Sequence, residues 1–337
     1  MRASILSKSI VVLALLLPLV VPAWAQTNTR VYELVAESIS GTFDEVETAL
    51  TSAAGENGWE LLASTDVGVP GECIYGARVL TMYRPDYASR LMEINRKTGP
   101  YGIVDRINIF EDENGLHISV INPHSINRTI LMDDNAYTDL SVEHLRNMRT
   151  MIADAIGGAS STRAYGQKRK KGHIGKTMGV MAGGKFIDKL QDKVVVSGET
   201  VPDVAAKVRE GLSQTGPKWG LELTYEVALP EYDVIVFGST GRTMEAKSFE
   251  IVKAGSSKER KELACPGLAH AGAYPLEVVV SRDGDDVHVQ FVDAMYRMKM
   301  YFEDAGKMAF MRNMGMPGSL ADELRDQIRL LLDDYPM

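Results

Sequence analysis

GIVDRINIFEDENGLHISVIN, Gly102 to Asn122, is an extended run, an acidic turn and a second extended run, and its pattern returns as AYPLEVVVSRDGDDVHVQFVD, Ala273 to Asp293. At a constant offset of 171, Ile107, Ile109, His117, Ile118 and Val120 fall on Val278, Val280, His288, Val289 and Phe291. Apolar residues alternating around a short Asp, Asn and Gly turn mark a half-buried hairpin, because successive strand side chains point to opposite faces. The correspondence runs outward in both directions. Gly58-Trp59-Glu60-Leu61 falls on Gly220-Leu221-Glu222-Leu223, and Glu143-His144-Leu145-Arg146 on Asp322-Glu323-Leu324-Arg325. Drift of a few residues in the spacing is what duplication followed by loop changes leaves.

The flanking elements follow from local signals. Val31 to Ile39 alternates as a strand, and Thr42-Phe43-Asp44-Glu45 carries a capping-box pattern opening a helix to about Gly55. Trp59 to Thr65 and Cys73 to Met82 read as strands, and Pro85 suits the first turn of a helix to about Lys97. Asn122-Pro123-His124 ends the hairpin, and Leu140 to Ile156 forms a closing amphipathic helix. The second half repeats the order: a strand near Val194, a helix after Thr200, strands near Leu221 and Val234, a helix over Thr243 to Lys253, the hairpin, and a helix over Ser319 to Leu332. Strands and helices mix without strict alternation, so the fold class is α+β: two repeats, each an antiparallel sheet with helices mainly on one face. The expected divisions are a leader at 1–25, a first repeat at 26–156, a basic Gly-rich linker at 157–191 and a second repeat at 192–337.

This order of elements, the hairpin before a strand-ending Asn122-Pro123 and the exported tandem arrangement resemble the domain-of-unknown-function family 302, over roughly 30–156 and 192–333. The second repeat departs from the pattern with Asp293-Ala294. The resemblance implies a compact α+β domain and brings no catalytic residues with it.

Arg2 and Lys8, the apolar run Ile10 to Val21 and Ala23-Trp24-Ala25 form a secretory leader, which places the chain in the periplasm or outside the cell. The composition, 37 basic against 45 acidic residues for a formal net charge of -8, becomes more negative once the leader's two cations go. Nucleic acid is not an expected partner of so acidic an exported chain. Cys73 and Cys265 are the only cysteines, in a compartment that permits disulfides. Their places in the two repeats are not equivalent, one opening a strand and one in a loop, so the sequence favours two independent thiols.

Arg163 to Lys193 carries nine Lys or Arg against Asp188 and Asp192. Such a strip is a solvated connector, or a docking strip for an acidic protein or an anionic membrane surface. Gly175-Lys176-Thr177 imitates the end of a phosphate-binding loop, but Lys170 stands where that loop requires glycine.

Candidate chemistry lies in the second repeat. Met295, Met298, Met300, Met308, Met311, Met314 and Met316 crowd together, out of 17 methionines in the chain. Met308, Met311 and Met314 step by three along an expected helix, and Met316 follows the turn at Gly315. Thioether sulfur is a soft ligand suited to Cu(I). The ordinary reading of methionines at helical spacing is core packing, and a third is an apolar pocket for a hydrophobic ligand or a haem. Cys265 and His270, five apart, would add a thiolate and an imidazole to the metal set, or make a reactive thiol for a thiol-dependent enzyme. His117 and His288 occupy matching strand positions, where the wet face of a hairpin accounts for both. No zinc-helix, C-x-x-C, nucleophile-elbow or dinucleotide fingerprint is present, which argues against catalysis. The sequence points to an exported, non-enzymatic binding protein for a small ligand or metal ion, with a structural or interaction module using the basic linker as the alternative.

Overall fold

The computed structural model describes residues 29–332 except 132–135, 157–158, 162, 170–171, 173, 175–182, 256–264 and 303–305. The leader, the glycines at 175 and 179, His173 and the Gly-Lys-Thr segment lie outside the described residues. The first repeat runs β1 (Arg30–Ile39), α1 (Phe43–Glu56), β2 (Glu60–Asp66), β3 (Ala77–Tyr83), α2 (Pro85–Ile94), β4 (Val104–Asp112), β5 (Gly115–Ile121), α3 (Pro123–Ile130) and α4 (Tyr137–Ile156). Two short strands follow, β6 (Ala159–Ser160) and β7 (Ala164–Lys168). The second repeat runs β8 (Leu190–Ser197), α5 (Val201–Leu212), β9 (Glu222–Leu229), β10 (Val234–Thr240), α6 (Arg242–Gly255), β11 (Leu276–Asp283), β12 (Asp286–Val292), α7 (Ala294–Phe302), α8 (Lys307–Arg312) and α9 (Gly315–Arg329).

Strand order is the same in both sheets. The first is β2-β3-β4-β5-β1, extended at its β1 edge by β6 and β7, and the second is β9-β10-β11-β12-β8. All pairings are antiparallel, so the protein is α+β with two similar sheet–helix units. On the first sheet α1 and α4 cover one face, where Val46, Leu50, Met148 and Ile152 meet Leu80, Ile107, Ile109 and Ile118. Each fully buried aliphatic side chain here contributes about 1.5–3 kcal/mol. The face forms because Thr42 and Glu45 close a reciprocal cap that fixes where α1 starts. In the second unit Val204, Val208, Leu320, Leu324 and Ile328 do the same work on α5 and α9, and Thr200 caps Asp203.

The other face of each sheet is turned toward the other repeat, and one apolar cluster runs through both. Its polar centre is a buried charge cluster. Arg106 on β4 reaches Glu277 on β11 at 2.7 Å, and Arg297 on α7 reaches the same carboxylate at 2.9 Å. Arg106 also donates to the Tyr301 hydroxyl, and Arg297 to the carbonyls of Ala273 and Pro275. Arg106 and Glu277 are 171 residues apart, so equivalent positions of the two repeats carry opposite charges and meet.

Four expectations change. Cys73 does not open a strand; β3 begins at Ala77, and the connection before it reaches across to the second repeat, where the Gly68 amide donates to Glu245 at 2.6 Å. An unexpected helix, α3, follows Asn122, whose side chain accepts from the His124 amide. Part of the presumed linker is sheet, since β7 pairs with β1 through Tyr32 and Tyr165. His117 is buried rather than wet, lying 5.2 Å from the Phe110 ring and 2.8 Å from Asp112, because the second repeat covers that face.

Candidate functional site

Met308 and Met311 lie on α8 and Met314 in the turn after it, and all three are exposed, by 63%, 42% and 38% respectively. The short helix rests on α6 and the core through Ala309 and ends where Asn313 donates to the Ala309 carbonyl. Its spaced methionines therefore point to water, where core packing would have buried them. Met316, in the first turn of α9, is buried in the core and is not part of that face. Met300 is likewise buried.

Cys265 and His270 are not part of this exposed segment. Cys265 is bonded to Cys73, with Cα atoms 5.9 Å apart and a sequence separation of 192. This corrects the expectation of two free thiols. Non-equivalent positions meet because the repeats pack with the β2–β3 connection of the first against α6 of the second, as the Gly68–Glu245 bond and a Glu72–Lys253 ion pair show. Gly68 is required there: a Cβ would stand 1.9 Å from the Arg242 carbonyl oxygen. A disulfide sulfur supplies no thiolate, so Cys265 leaves the metal set and the thiol-dependent enzyme loses its nucleophile. His270 is fully buried among the rings of Tyr32, Tyr165 and Phe302. Of the six candidate ligands, only Met308, Met311 and Met314 share an exposed segment.

Among the described residues no group of three or more His, Cys, Asp or Glu side chains is placed to hold a metal ion. The apolar cavity lined by Leu276, Phe291, Met298 and Leu320 measures about 20 Å³, room for about one water and far below a haem. No helix among the described residues is long and apolar enough to cross a membrane.

Sequence reasoning missed a buried polar knot in the first repeat. Asp105 accepts from the Trp59 indole at 2.8 Å and lies 2.7 Å from His144 Nε2, while the His144 ring stacks on Tyr87 with centroids 3.6 Å apart. Asn127 donates to the Tyr87 hydroxyl and to Ser141. Burial, with Asp105 nearby, pushes the Tyr87 hydroxyl well above its ordinary value. All of these side chains are buried, so the knot fastens α2, α3 and α4 to the sheet and offers no surface to a reactant. The matching positions of the second repeat, Leu221, Leu276 and Glu323, dispense with it, and Glu323 instead accepts from the amides of Lys218, Trp219 and Leu221.

No family model matches the chain, and no curated protein matches it. Among solved structures, it is similar to the uncharacterized conserved protein DUF302 from Bacillus stearothermophilus, at 14% sequence identity and a TM-score of 0.33, over 37% of this chain and 97% of that chain.

Proposed function

We propose that the protein is an exported, non-catalytic binding protein built from two fused family-302 domains, and that Met308, Met311 and Met314 take up Cu(I). The domain assignment is supported by the shared strand order of the two sheets and the order of elements read from the sequence. The copper reading is carried by one observation: three thioethers within seven residues are exposed although their spacing is that of a packing stripe. Soft, uncharged sulfur donors select Cu(I) over harder ions and do not form disulfides in an oxidising compartment.

The test is replacement of Met308, Met311 and Met314 together with leucine, followed by Cu(I) titration against a chromophoric competitor. Loss of copper uptake is expected, with a thermal midpoint close to wild type, since exposed substitutions usually stay within about 0.5 kcal/mol. Retained affinity in the triple variant refutes the site.

A further inference from the structure

A cleft of about 420 Å³ lies between the end of α2 and the face of the second sheet that is turned toward the first repeat, within the size range of small-molecule sites. Its floor is Ser281, His288 and Gln290; Arg96 and Lys97 come from the first repeat. Duplication provides an internal comparison. By the offset of 171, Ser281 matches Phe110, His288 matches His117 and Gln290 matches Ser119. In the first repeat the Phe110 ring lies against His117, and the 3₁₀ segment Leu268–Ala273 of the second repeat covers the sheet. In the second repeat a hydroxymethyl group replaces that ring, and the facing 3₁₀ turn of the first repeat is only Gly99–Gly102. A face sealed in one copy is open in the other.

The opened face is polar and organised. His288 stands directly across from Ser281 on the neighbouring strand. Its Nδ1 is 2.9 Å from Asp192 Oδ1, and that oxygen also accepts from Gln290 at 2.6 Å. The carboxylate holds Nδ1 as the donor, which leaves Nε2 as the ring nitrogen available to a ligand. Two of the cations in the cleft face carboxylates: Lys97 is 3.2 Å from Asp283, and Arg282 is 3.9 Å from Asp233. Arg96 donates to the Tyr232 carbonyl at 3.0 Å and stands over the Tyr232 ring, and among the described residues no carboxylate is paired with it. A planar guanidinium without a carboxylate partner, facing polar groups in a cleft, matches the fork geometry of a carboxylate or phosphate.

We propose that this cleft binds a small anion bearing a carboxylate or phosphate group, with the charge on Arg96 and a hydrogen bond from the Ser281 hydroxyl. The site is separate from the methionine face and does not depend on the copper reading. Calorimetric titration of the full-length protein with succinate and, separately, inorganic phosphate tests it, in wild type and in Arg96→Gln and Ser281→Phe. The second variant gives the second repeat the side chain that the first already carries at that position. Wild type should bind at least one probe, and the preferred probe assigns the anion as carboxylate or phosphate. Each variant should weaken binding at least about tenfold, or about 1.4 kcal/mol, with the thermal midpoint retained. Failure of both probes up to about 10 mM, a free energy near 3 kcal/mol, overturns the proposal. So does binding that survives both substitutions, and so does loss in Arg96→Gln with none in Ser281→Phe, which would place the anion outside the cleft.

Discussion

Replacing Glu277 with leucine should cost more stability than replacing Arg106, although the two form one ion pair. The carboxylate serves two buried guanidinium groups: Oε1 accepts from Arg106 at 2.7 Å and from Arg297 at 3.2 Å, and Oε2 accepts from Arg297 at 2.9 Å. Glu277→Leu leaves both buried cations with only carbonyls and the Tyr301 hydroxyl for partners, at a cost of about 3–5 kcal/mol. Arg106→Met keeps the Arg297 pair and fills much of the vacated volume, so its cost is that of a charge-assisted hydrogen bond, about 1–3 kcal/mol. With a urea slope near 3 kcal/mol/M, the leucine variant should lose about 1–1.7 M in midpoint and the methionine variant less than about 1 M.

The same pair has a defined pH dependence. Burial by itself raises the Glu277 carboxyl, but Arg297 and then Arg106 outweigh it and hold it below the ordinary carboxylate range. Because the folded value lies below the unfolded one, the stabilisation is full above the unfolded value and is lost as pH falls through the folded value. The gap between wild type and Glu277→Leu should therefore stay constant from neutrality to about pH 4.3 and narrow only at more acid pH. Equal urea shifts in the two variants, or a larger one for Arg106→Met, would refute the shared-carboxylate account.

Reduction of Cys73–Cys265, or its replacement by two serines, should lower unfolding free energy by up to about 5 kcal/mol, the chain-entropy value for a closed loop of this length; equilibrium unfolding with and without reductant reads the difference, and an unchanged midpoint would deny the bond a structural role. Gly68→Ala should cost about 1–3 kcal/mol by overpacking, because the obstacle at 1.9 Å is the α6 backbone and not a movable side chain. A thermal midpoint equal to wild type would show that the β2–β3 connection does not press on α6 as described.

The repeat was legible because it is written in a strand pattern. Alternation at Ile107, Ile109, Ile118 and Val120 and the offset of 171 lead to two antiparallel sheets of the same strand order. The same alternation hid the contact between repeats. Arg106 and Asn108 share the strand face of His117, the face read as wet, yet both are buried, Arg106 on Glu277 and Asn108 on the Leu268 carbonyl. Periodicity reports that a strand has two different faces; it does not report whether the polar one meets water or another polar surface. One signal was present: Arg106 and Glu277 hold matching positions with opposite charge, as two copies packed face to face require. The methionines failed in the opposite direction, because helical spacing suggests burial only if the helix has a neighbour on that side, and α8 turns that side outward.

Two copies of one fold, packed through the same faces, need not stay alike once each position has its own neighbour. Where the first repeat spends Trp59, Asp105 and His144 on an internal knot, the second places Leu221, Leu276 and Glu323 and moves its buried carboxylate onto backbone amides. Where the first has Phe110 closing over His117, the second has Ser281 beside His288 and an open cleft. Each difference alone is a substitution tolerated by a stable sheet. Taken together they assign the polar closure to one repeat and the accessible surface, both the cleft and the methionine face, to the other. Closing the cleft with Ser281→Phe should therefore make the second repeat resemble the first without disturbing the contact centred on Glu277, since Ser281 and Glu277 are four residues apart along β11 and the urea midpoint depends on the latter.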